Sequence, residues 1–425
     1  MSRFTGIIGI IIILGLAFLW SNNRKAINLR LVVTGLLLQL ALAIFILKVP
    51  VGQDIFAWLG KVINKLLDFS QEGGLFVFGD LTKVSEILPP AIVSGGVFLF
   101  TLLPTIIFVC VLVAMAYHVG IMQRIVAVLA RFMHWVMRVS GSEALSNVAS
   151  AFVGQVEAQI MIRPYLSGMT MSELLASMTG SMACIAGGVM AVYISMGVPA
   201  SYLLAASLMA APGALVISKI VFPETQESET KGVVKIEVKK EQTNIMDAIS
   251  HGASDGMAIS INVIAMLIGV IALVALVDAL LGYFGLFLGW TGLSLDFMGL
   301  DVNNLRLKDV FGAFFSLFAI VMGVPVAESF DVGSLMGTKM VINEFVAYSD
   351  LAPMIQQGAL SPKSIVIASF ALCGFANFSS IAIQLGGIGA MVPSRKADLA
   401  RLGFKAMICG TMASYISASL AGILM

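Results

Sequence analysis

Long apolar runs separated by short polar segments dominate the hydrophobic pattern of this chain. Eight of these runs are close to the roughly 20 residues that a membrane-spanning helix needs. They cover residues 6–20, 31–50, 91–117, 173–196, 201–222, 258–285, 362–392 and 402–424. The pattern therefore predicts an all-α polytopic membrane protein with eight spanning helices.

Two amphipathic segments and the first apolar run need a separate interpretation. Residues 54–68 and 123–139 are amphipathic, which suits helices lying in the membrane interface; simple connecting helices with a solvated face are the alternative. The first apolar run is similar to the core of a signal peptide. Because no small-residue cleavage site follows it and basic residues come after it, a retained first helix is favoured.

Two segments do not fit a simple count of spanning helices. Residues 141–168 and 309–347 each contain two short apolar pieces around a polar centre, at 154–157 and 323–328 respectively. This form is typical of a re-entrant helical hairpin, whose tip must be buried in protein or line a wet cavity. The sequence therefore predicts two hairpins in addition to the spanning helices.

The helix that follows each predicted hairpin is interrupted, at 186–188 and at 374–380. Basic loop residues at 24–30, 124–138, 231–240 and 395–401 place these segments inside and both termini outside. On this topology the two hairpins enter from opposite sides. The pattern then predicts the inverted repeat of a secondary transporter, with its site where the halves meet.

This interpretation divides the chain into five parts. Residues 1–120 supply scaffold helices and an interfacial helix, and 121–222 form a first transport repeat. Residues 223–257 form a charged, exposed cytoplasmic linker (224–244) followed by an amphipathic segment. Residues 258–308 supply a scaffold helix and an outer connection, and 309–425 form a second transport repeat.

Composition supports a lipid environment and excludes several functions. The chain is 59% hydrophobic and 12% charged, whereas soluble domains carry about 25% charged residues. With 25 basic and 24 acidic residues, no net field favours nucleic acid. The cysteines and histidines lack ligand spacing, and no nucleophile elbow is present, so neither a metal, a cofactor nor a hydrolase site is expected.

The candidate chemistry lies at the predicted breaks. Glu157 and Glu328 are carboxylates in apolar surroundings, where a charge costs at least a few kcal/mol, so a functional role is favoured over helix capping. Gln155 with Glu157 suits the edge of a heterocyclic base. Asn377 and Ser380 lie three residues apart on one helical face and suit a ribose, or else hydrogen bonds between helices.

The sequence pattern suggests two possible roles for Phe375 and a structural role for Glu344. Phe375 is equally suited to stack on a base or to pack inside the protein. Glu344, at the end of the second predicted hairpin, is interpreted as a structural cap or partner.

Over nearly its whole length the sequence resembles the concentrative nucleoside transporters, in particular their bacterial members. The similar segments are SNNRKAINLR, VGQVEAQIMIRPYL, CIAGGV, YLLAASLMAAPGAL, NEFVAYS and ALCGFANFSSIAIQLGG. The resemblance implies a homotrimer in the inner membrane of a bacterium. It also implies uptake of nucleosides by alternating access, driven by a cation gradient.

The resemblance further implies roles for individual residues. The nucleobase would contact Gln155, Glu157, Val189 and Phe375. The ribose would contact Glu328, Asn377 and Ser380. A coupling cation would contact Ser150, Val153, Cys184 and Ile185.

The sequence departs from the family pattern at four places. Val156 stands where Thr is frequent, and Val326-Ala327 stands where Trp and an acidic or amide residue are common. Ser150 and Cys184 stand where sodium-coupled members have Asn and Ser. Because Na⁺ prefers oxygen ligands to a thiol, and proton-coupled relatives also have Ser at the first position, H⁺ is slightly favoured over Na⁺.

Two alternative functions stay open at the level of sequence. One is a passive nucleoside channel, which needs a continuous wet path. The other is an intramembrane enzyme that uses Glu157 and Glu328. Opposed hairpin tips and a charged linker favour alternating access over both.

Overall fold

The structure, a computed structural model, describes residues 5–79, 81, 98–230, 242–291 and 305–425. All regular secondary structure in these ranges is helical, as the hydrophobic pattern predicts. The beginning of the apolar run at 91–117 and residues 231–241 of the predicted linker lie outside the described residues.

The described residues of the N-terminal part form five α-helices. They are α1 (Thr5–Leu19), α2 (Leu29–Leu47), α3 (Pro50–Phe78), α4 (Phe98–Val119) and α5 (Ile121–Met137). Helix α3 is longer than the amphipathic segment predicted at 54–68. Helix α5 agrees closely with the predicted 123–139 and buries one face, made of Val126, Ala130, Met133 and Met137.

A hairpin, an interrupted helix and a long helix follow. They are α6 (Gly141–Ser150) and α7 (Glu157–Ile160), α8 (Met171–Ala183) and α9 (Gly187–Ser195), and α10 (Ala200–Val221). Helices α6 and α8 each begin with a capping box, formed by Ser140 with Glu143 and by Thr170 with Glu173. These side chains satisfy N–H groups that would otherwise be left without partners at the helix starts.

The end of α10 is tied to the starts of α6 and α8. The buried Lys219 ammonium forms ion pairs with Glu143 and, at 3.3 Å, with Glu224. Ser228 donates a hydrogen bond to Glu173. Within the tract 224–244 that the sequence predicts to be exposed, residues 225–227 and 229 are exposed, whereas Glu224, Ser228 and Thr230 are half-buried.

After α11 (Ile245–Trp290) the same order of elements occurs again. The elements are α12 (Leu307–Met322), α13 (Val326–Val341), α14 (Glu344–Gln356), α15 (Pro362–Leu372), α16 (Phe378–Met391) and α17 (Lys396–Leu424). Helix α12 buries one face, made of Gly312, Phe315, Ala319 and Met322. It thus corresponds to α5, and α13 with α14 correspond to the first hairpin.

The structure corrects the position of the second hairpin. The sequence predicts its tip at 323–328, but Gly323 begins the turn between α12 and α13, two helices that bend by 119°. The turn equivalent to the first tip lies at Ile342 and Asn343. The pattern does not mark this turn because it contains neither Gly nor Pro; the Asn343 side chain caps α14 by accepting from the Val346 N–H at 2.9 Å.

Among the described residues, six segments are long and apolar enough to cross a membrane. They are Leu29–Leu47, Leu102–Val119, Met171–Ser195, Ala200–Val221, Ile271–Trp290 and Pro393–Leu424. Helices α12 and α13 would together make a seventh, while α1, α15 and α16 are apolar but shorter. The architecture is that of an all-helical membrane protein, and eight crossings with two re-entrant hairpins stay a prediction.

The two interrupted helices run in opposite directions. Arg395, immediately before α17, donates to the main-chain oxygens of Ser167 (3.0 Å) and Met169 (2.7 Å), just before α8. The end of α16 and the start of α8 therefore lie on the same side of the bundle. Antiparallel interrupted helices are what an inverted repeat requires.

The two interruptions meet at Gly374. This residue has φ +108°, a conformation that glycine adopts without strain, and a Cβ placed on it would lie 2.5 Å from the Ala183 main-chain oxygen. The second break therefore packs directly on the end of α8, with no space for a side chain.

We expect Gly374→Ala to destabilise the protein by about 1–3 kcal/mol, because it adds both backbone strain and a collision between the breaks. Gly386→Ala in α16 is the control, since a Cβ there meets nothing within 4 Å. Thermal midpoints of the detergent-purified variants, measured by size-exclusion chromatography after heating, test this. Equal midpoints for the two variants would contradict it.

Candidate functional site

The tip of the first hairpin lies against the break between α8 and α9. The main-chain oxygen of Phe152 accepts from the Gly187 N–H at 3.1 Å, and that of Ala151 accepts from the Ser207 hydroxyl at 3.1 Å. These bonds fix the tip where it presents Gln155, whose side chain is 9% exposed. Its amide nitrogen donates to the Ser380 hydroxyl of α16 over 3.4 Å.

The start of α16 continues this series of polar groups. Asn377 is the N-cap of α16, and its side-chain oxygen accepts from the Ser380 N–H at 2.9 Å. Its amide nitrogen donates to a Glu344 carboxylate oxygen at 3.0 Å, and the other oxygen of Glu344 accepts from the Tyr193 hydroxyl at 3.0 Å. Gln155, Ser380, Asn377 and Glu344 thus form one hydrogen-bonded series across both repeats.

Glu344 is a candidate site residue that the sequence interpretation places differently. It does begin α14, as a cap would, but its carboxylate is directed to the second break and is only 5% exposed. It forms none of the ion pairs found among the described residues, and neutral donors hold it. The helix N-terminus and these donors offset part of the cost of burying a charge there.

The structure does not bring Glu328 into this cluster. Its carboxylate accepts from the N–H and hydroxyl of Ser361, at 3.0 and 2.9 Å, at the start of α15. Helix α15 has 11 residues, and at about 1.5 Å per residue it separates Ser361 from the second break by about 16 Å. The expectation that Glu328 shares a ribose site with Asn377 is therefore not met in this structure.

The remaining predicted nucleobase residues surround the same place. Glu157 is exposed in the first turn of α7, and its carboxylate lies against Gly154. It interacts electrostatically with Cys110 and Tyr117 of α4. Val189 and Phe375 are half-buried next to the first and the second break. Their partly free apolar surfaces are available to a planar group.

Val156, one departure from the family pattern, has a packing role. A Cβ placed on Gly387 of α16 would lie 2.7 Å from a Val156 methyl carbon, so the two residues are in close contact. The apolar side chain thereby extends the contact between the first hairpin and α16 that Gln155 begins.

The predicted cation residues lie together, but with partners of their own. The Ser150 hydroxyl donates to the Ser146 main-chain oxygen at 2.7 Å and lies 3.0 Å from the Ser181 hydroxyl. The Cys184 thiol contacts the Ser207 main-chain oxygen at 3.7 Å. Val153 and Ile185 are buried in the first tip and the first break, at 4% and 0% exposure.

A second residue that the sequence interpretation misses is Gln159. Its amide nitrogen donates to the Ser181 hydroxyl at 2.7 Å, and its oxygen accepts from the Ser177 hydroxyl at 2.7 Å. Together with Ser150 these residues form a buried polar network between both limbs of the first hairpin and α8. Its only sequence signal is a glutamine in an apolar segment.

Carboxylate, amide and hydroxyl groups thus meet where two interrupted, antiparallel helices cross inside an apolar helical bundle. Polar groups placed in this way are typical of the binding sites of membrane transport proteins, which is the class that the fold and the site indicate.

Comparisons with known proteins agree with this class. Family models described as "Na+ dependent nucleoside transporter N-terminus", "Nucleoside recognition" and "Na+ dependent nucleoside transporter C-terminus" match residues 8–81, 99–200 and 202–422. The chain is 41% identical over 424 residues to the transporter YutK of Bacillus subtilis, covering 100% of both chains. It is 35% identical to the nucleoside permease NupC of Helicobacter pylori, covering 99% of this chain and 98% of that one.

A solved structure has the same fold. It is CNTnw in an inward-facing substrate-bound state, 39% identical, with a TM-score of 0.89 over 100% of this chain and 98% of that one. The chain therefore belongs to the concentrative nucleoside transporter family, a family of integral membrane transporters and not of enzymes.

We predict that Glu344→Gln lowers nucleoside binding at least tenfold, because it removes a charge-assisted hydrogen bond worth about 1.5–3 kcal/mol. Glu328→Gln is the matched control and should bind almost like the parent protein, since its carboxylate contacts Ser361. Isothermal titration of uridine into detergent-purified protein measures both. A larger loss in Glu328→Gln than in Glu344→Gln would show that the assignment is reversed.

Proposed function

We propose that this protein is a secondary active symporter that takes up nucleosides together with a cation. The observation that carries the proposal is the series of polar groups from Gln155 through Ser380 and Asn377 to Glu344. This series offers an amide at one end and a carboxylate at the other, which suits a molecule with a heterocyclic base and a sugar. The similarity to a nucleoside permease supports the same substrate class.

The nucleobase is assigned to the first hairpin and its apolar neighbours. The side-chain oxygen of Gln155 is buried and has no hydrogen-bond partner among the described residues, so it can accept from a base amino or imino group. Glu157 supplies a second acceptor on the same tip. Val189 and Phe375 supply surfaces on which the base can pack or stack.

The ribose is assigned to Glu344, Asn377 and Ser380. The Glu344 carboxylate accepts from its own main-chain N–H and from the Tyr193 and Asn377 side chains, whereas an ionised carboxylate has about four acceptor sites. The remaining acceptor capacity fits the hydroxyls of a sugar. Glu344 takes in this proposal the role that the sequence interpretation gave to Glu328.

For the coupling ion, we propose H⁺ in preference to Na⁺. A sodium site needs several oxygens free to converge on one ion, and the predicted set contains the Cys184 sulfur as one of four ligands. The Ser150 hydroxyl is already hydrogen-bonded to Ser146 and Ser181. These residues fit Na⁺ poorly, whereas a proton needs only one carboxylate that changes its ionisation during the cycle.

The membrane arrangement completes the proposal. We place the protein in the inner membrane of a bacterium as a homotrimer, with both termini outside and the segment after α10 inside. The basic loops support this orientation. The exposed apolar side chains of α11, such as Leu276, Leu280 and Phe287, suit contact with lipid or a neighbouring protomer.

We predict that proteoliposomes accumulate uridine or adenosine above equilibrium when an inward H⁺ gradient is imposed, and that replacing Na⁺ by choline at fixed pH changes this little. Uptake should rise as external pH is lowered, because protons are the co-substrate. Equilibration without accumulation would indicate a passive channel. Loss of accumulation in choline would overturn the proton assignment but not nucleoside transport.

The double variant Ser150→Asn with Cys184→Ser should increase the dependence of uptake on Na⁺, since it restores oxygen ligands at two positions. The single Cys184→Ser variant serves as its control. A double variant as indifferent to Na⁺ as the parent protein would argue against a sodium site at this place.

Gln226 offers a test of topology, because it is exposed whereas nearby Ser228 is bonded to Glu173. We expect a single cysteine at Gln226, in a background lacking the four native cysteines, to be inaccessible to an impermeant thiol reagent in intact cells. Permeabilised cells provide the positive control. Labelling of intact cells would reverse the proposed orientation.

A further inference from the structure

Lys339, in the last turn of α13, is a buried cation that the proposed function does not use. Its side chain is 1% exposed. The ammonium donates to the main-chain oxygens of Ala371 at 2.8 Å and Cys373 at 3.1 Å. A buried ammonium is costly unless such partners hold it, so its position calls for a physical explanation.

The partners of Lys339 lie at the end of α15, where the second break begins. The last carbonyls of a helix have no donor within it and form the negative end of the helix dipole. At this break the chain turns through Gly374 with φ +108° and cannot continue the helical hydrogen bonds. The Ser414 hydroxyl also donates to the Cys373 oxygen at 2.7 Å, but only Lys339 brings a charge.

Lys339 also precedes the end of its own helix, since α13 ends at Val341. The residue in the last turn of α13 thus donates to the main-chain oxygens at the end of α15. Glu344 has the complementary place, because it begins α14 and is bonded to the N-cap Asn377 of α16. The second break thus has an amine group next to two helix ends and a carboxyl group at two helix starts.

The polar groups near the first break are neutral, unlike Lys339 and Glu344 at the second. At the ends of α6 and α8, the described contacts come from neutral groups, namely Ser150, Ser181 and Gln159. The two repeats therefore share their element order but differ in charge at corresponding places.

We propose that Lys339 is a built-in cation of the second break and that it positions Asn377 and Glu344 to bind the sugar. The positioning role rests on the proposed function, whereas the cation role does not. Since the amine is attached to the chain, the second break needs no free cation.

The cation role is tested by removing the charge and supplying it from solution. Lys339→Ala should have a lower thermal midpoint than the parent protein in choline chloride, and methylammonium chloride at equal ionic strength should raise it. The parent protein and Lys61→Met, a change at an exposed lysine of α3, should not respond. Lys339→Arg should retain most of the stability, because a guanidinium can donate to both carbonyls.

The positioning role is tested by uridine titration of the same proteins. We expect Lys339→Ala to raise the Kd for uridine about tenfold in choline and methylammonium to restore part of the affinity. A Lys339→Met variant with the midpoint and Kd of the parent protein would overturn the inference. The inference would also be overturned if methylammonium did not raise the thermal midpoint of Lys339→Ala, or did not recover folded protein where the variant aggregates in choline.

The two proposals fail separately in this design. If the parent protein does not bind uridine, the nucleoside proposal fails, while the response of the midpoint to methylammonium still decides whether Lys339 acts as a cation.

Discussion

The structure depends on one constraint, which is that a helix interrupted inside a membrane protein exposes main-chain groups that water cannot satisfy. Each of the two breaks is satisfied by a neighbouring hairpin. At the first, the Phe152 carbonyl meets the Gly187 N–H. At the second, Lys339 meets the last carbonyls of α15, and Asn377 caps the start of α16. The groups that satisfy the backbone are thus the same groups that form the site, or their immediate neighbours.

This constraint also explains why the site combines both repeats. A break presents free donors on one side and free acceptors on the other, and two antiparallel breaks that cross at Gly374 bring both kinds together within a small volume. A polar molecule can then be held by short side chains on rigid helix ends. The neutral network around Gln159 in the first repeat, and the titratable groups of Lys339 and Glu344 in the second, show that the repeats meet the same requirement with different chemistry.

The sequence predicts the parts of this arrangement that depend on local pattern. Apolar runs identify most helices, and the polar centre at 154–157 and the interruptions at 186–188 and 374–380 identify the first tip and both breaks. Glu344 could not be chosen in the same way, because only the folded chain shows that the turn at Ile342 and Asn343 meets Asn377. The Gly–Pro signal at 323–325 is a real turn, but it joins α12 to α13. This signal favours Glu328 as a site residue, although Glu328 lies a helix length from the site.

The hydrogen bond between Gln155 and Ser380 has a consequence for selectivity. At 3.4 Å it is near the upper limit for such a bond, and its two atoms belong to different repeats. A ligand that inserts here must separate them, and it replaces one weak bond only if it engages both sides at once. A free base or a free sugar would separate Gln155 from Ser380 but would form hydrogen bonds with only one of these two residues. If the protein carries nucleosides as proposed, this contact favours molecules in which a base and a sugar are covalently linked.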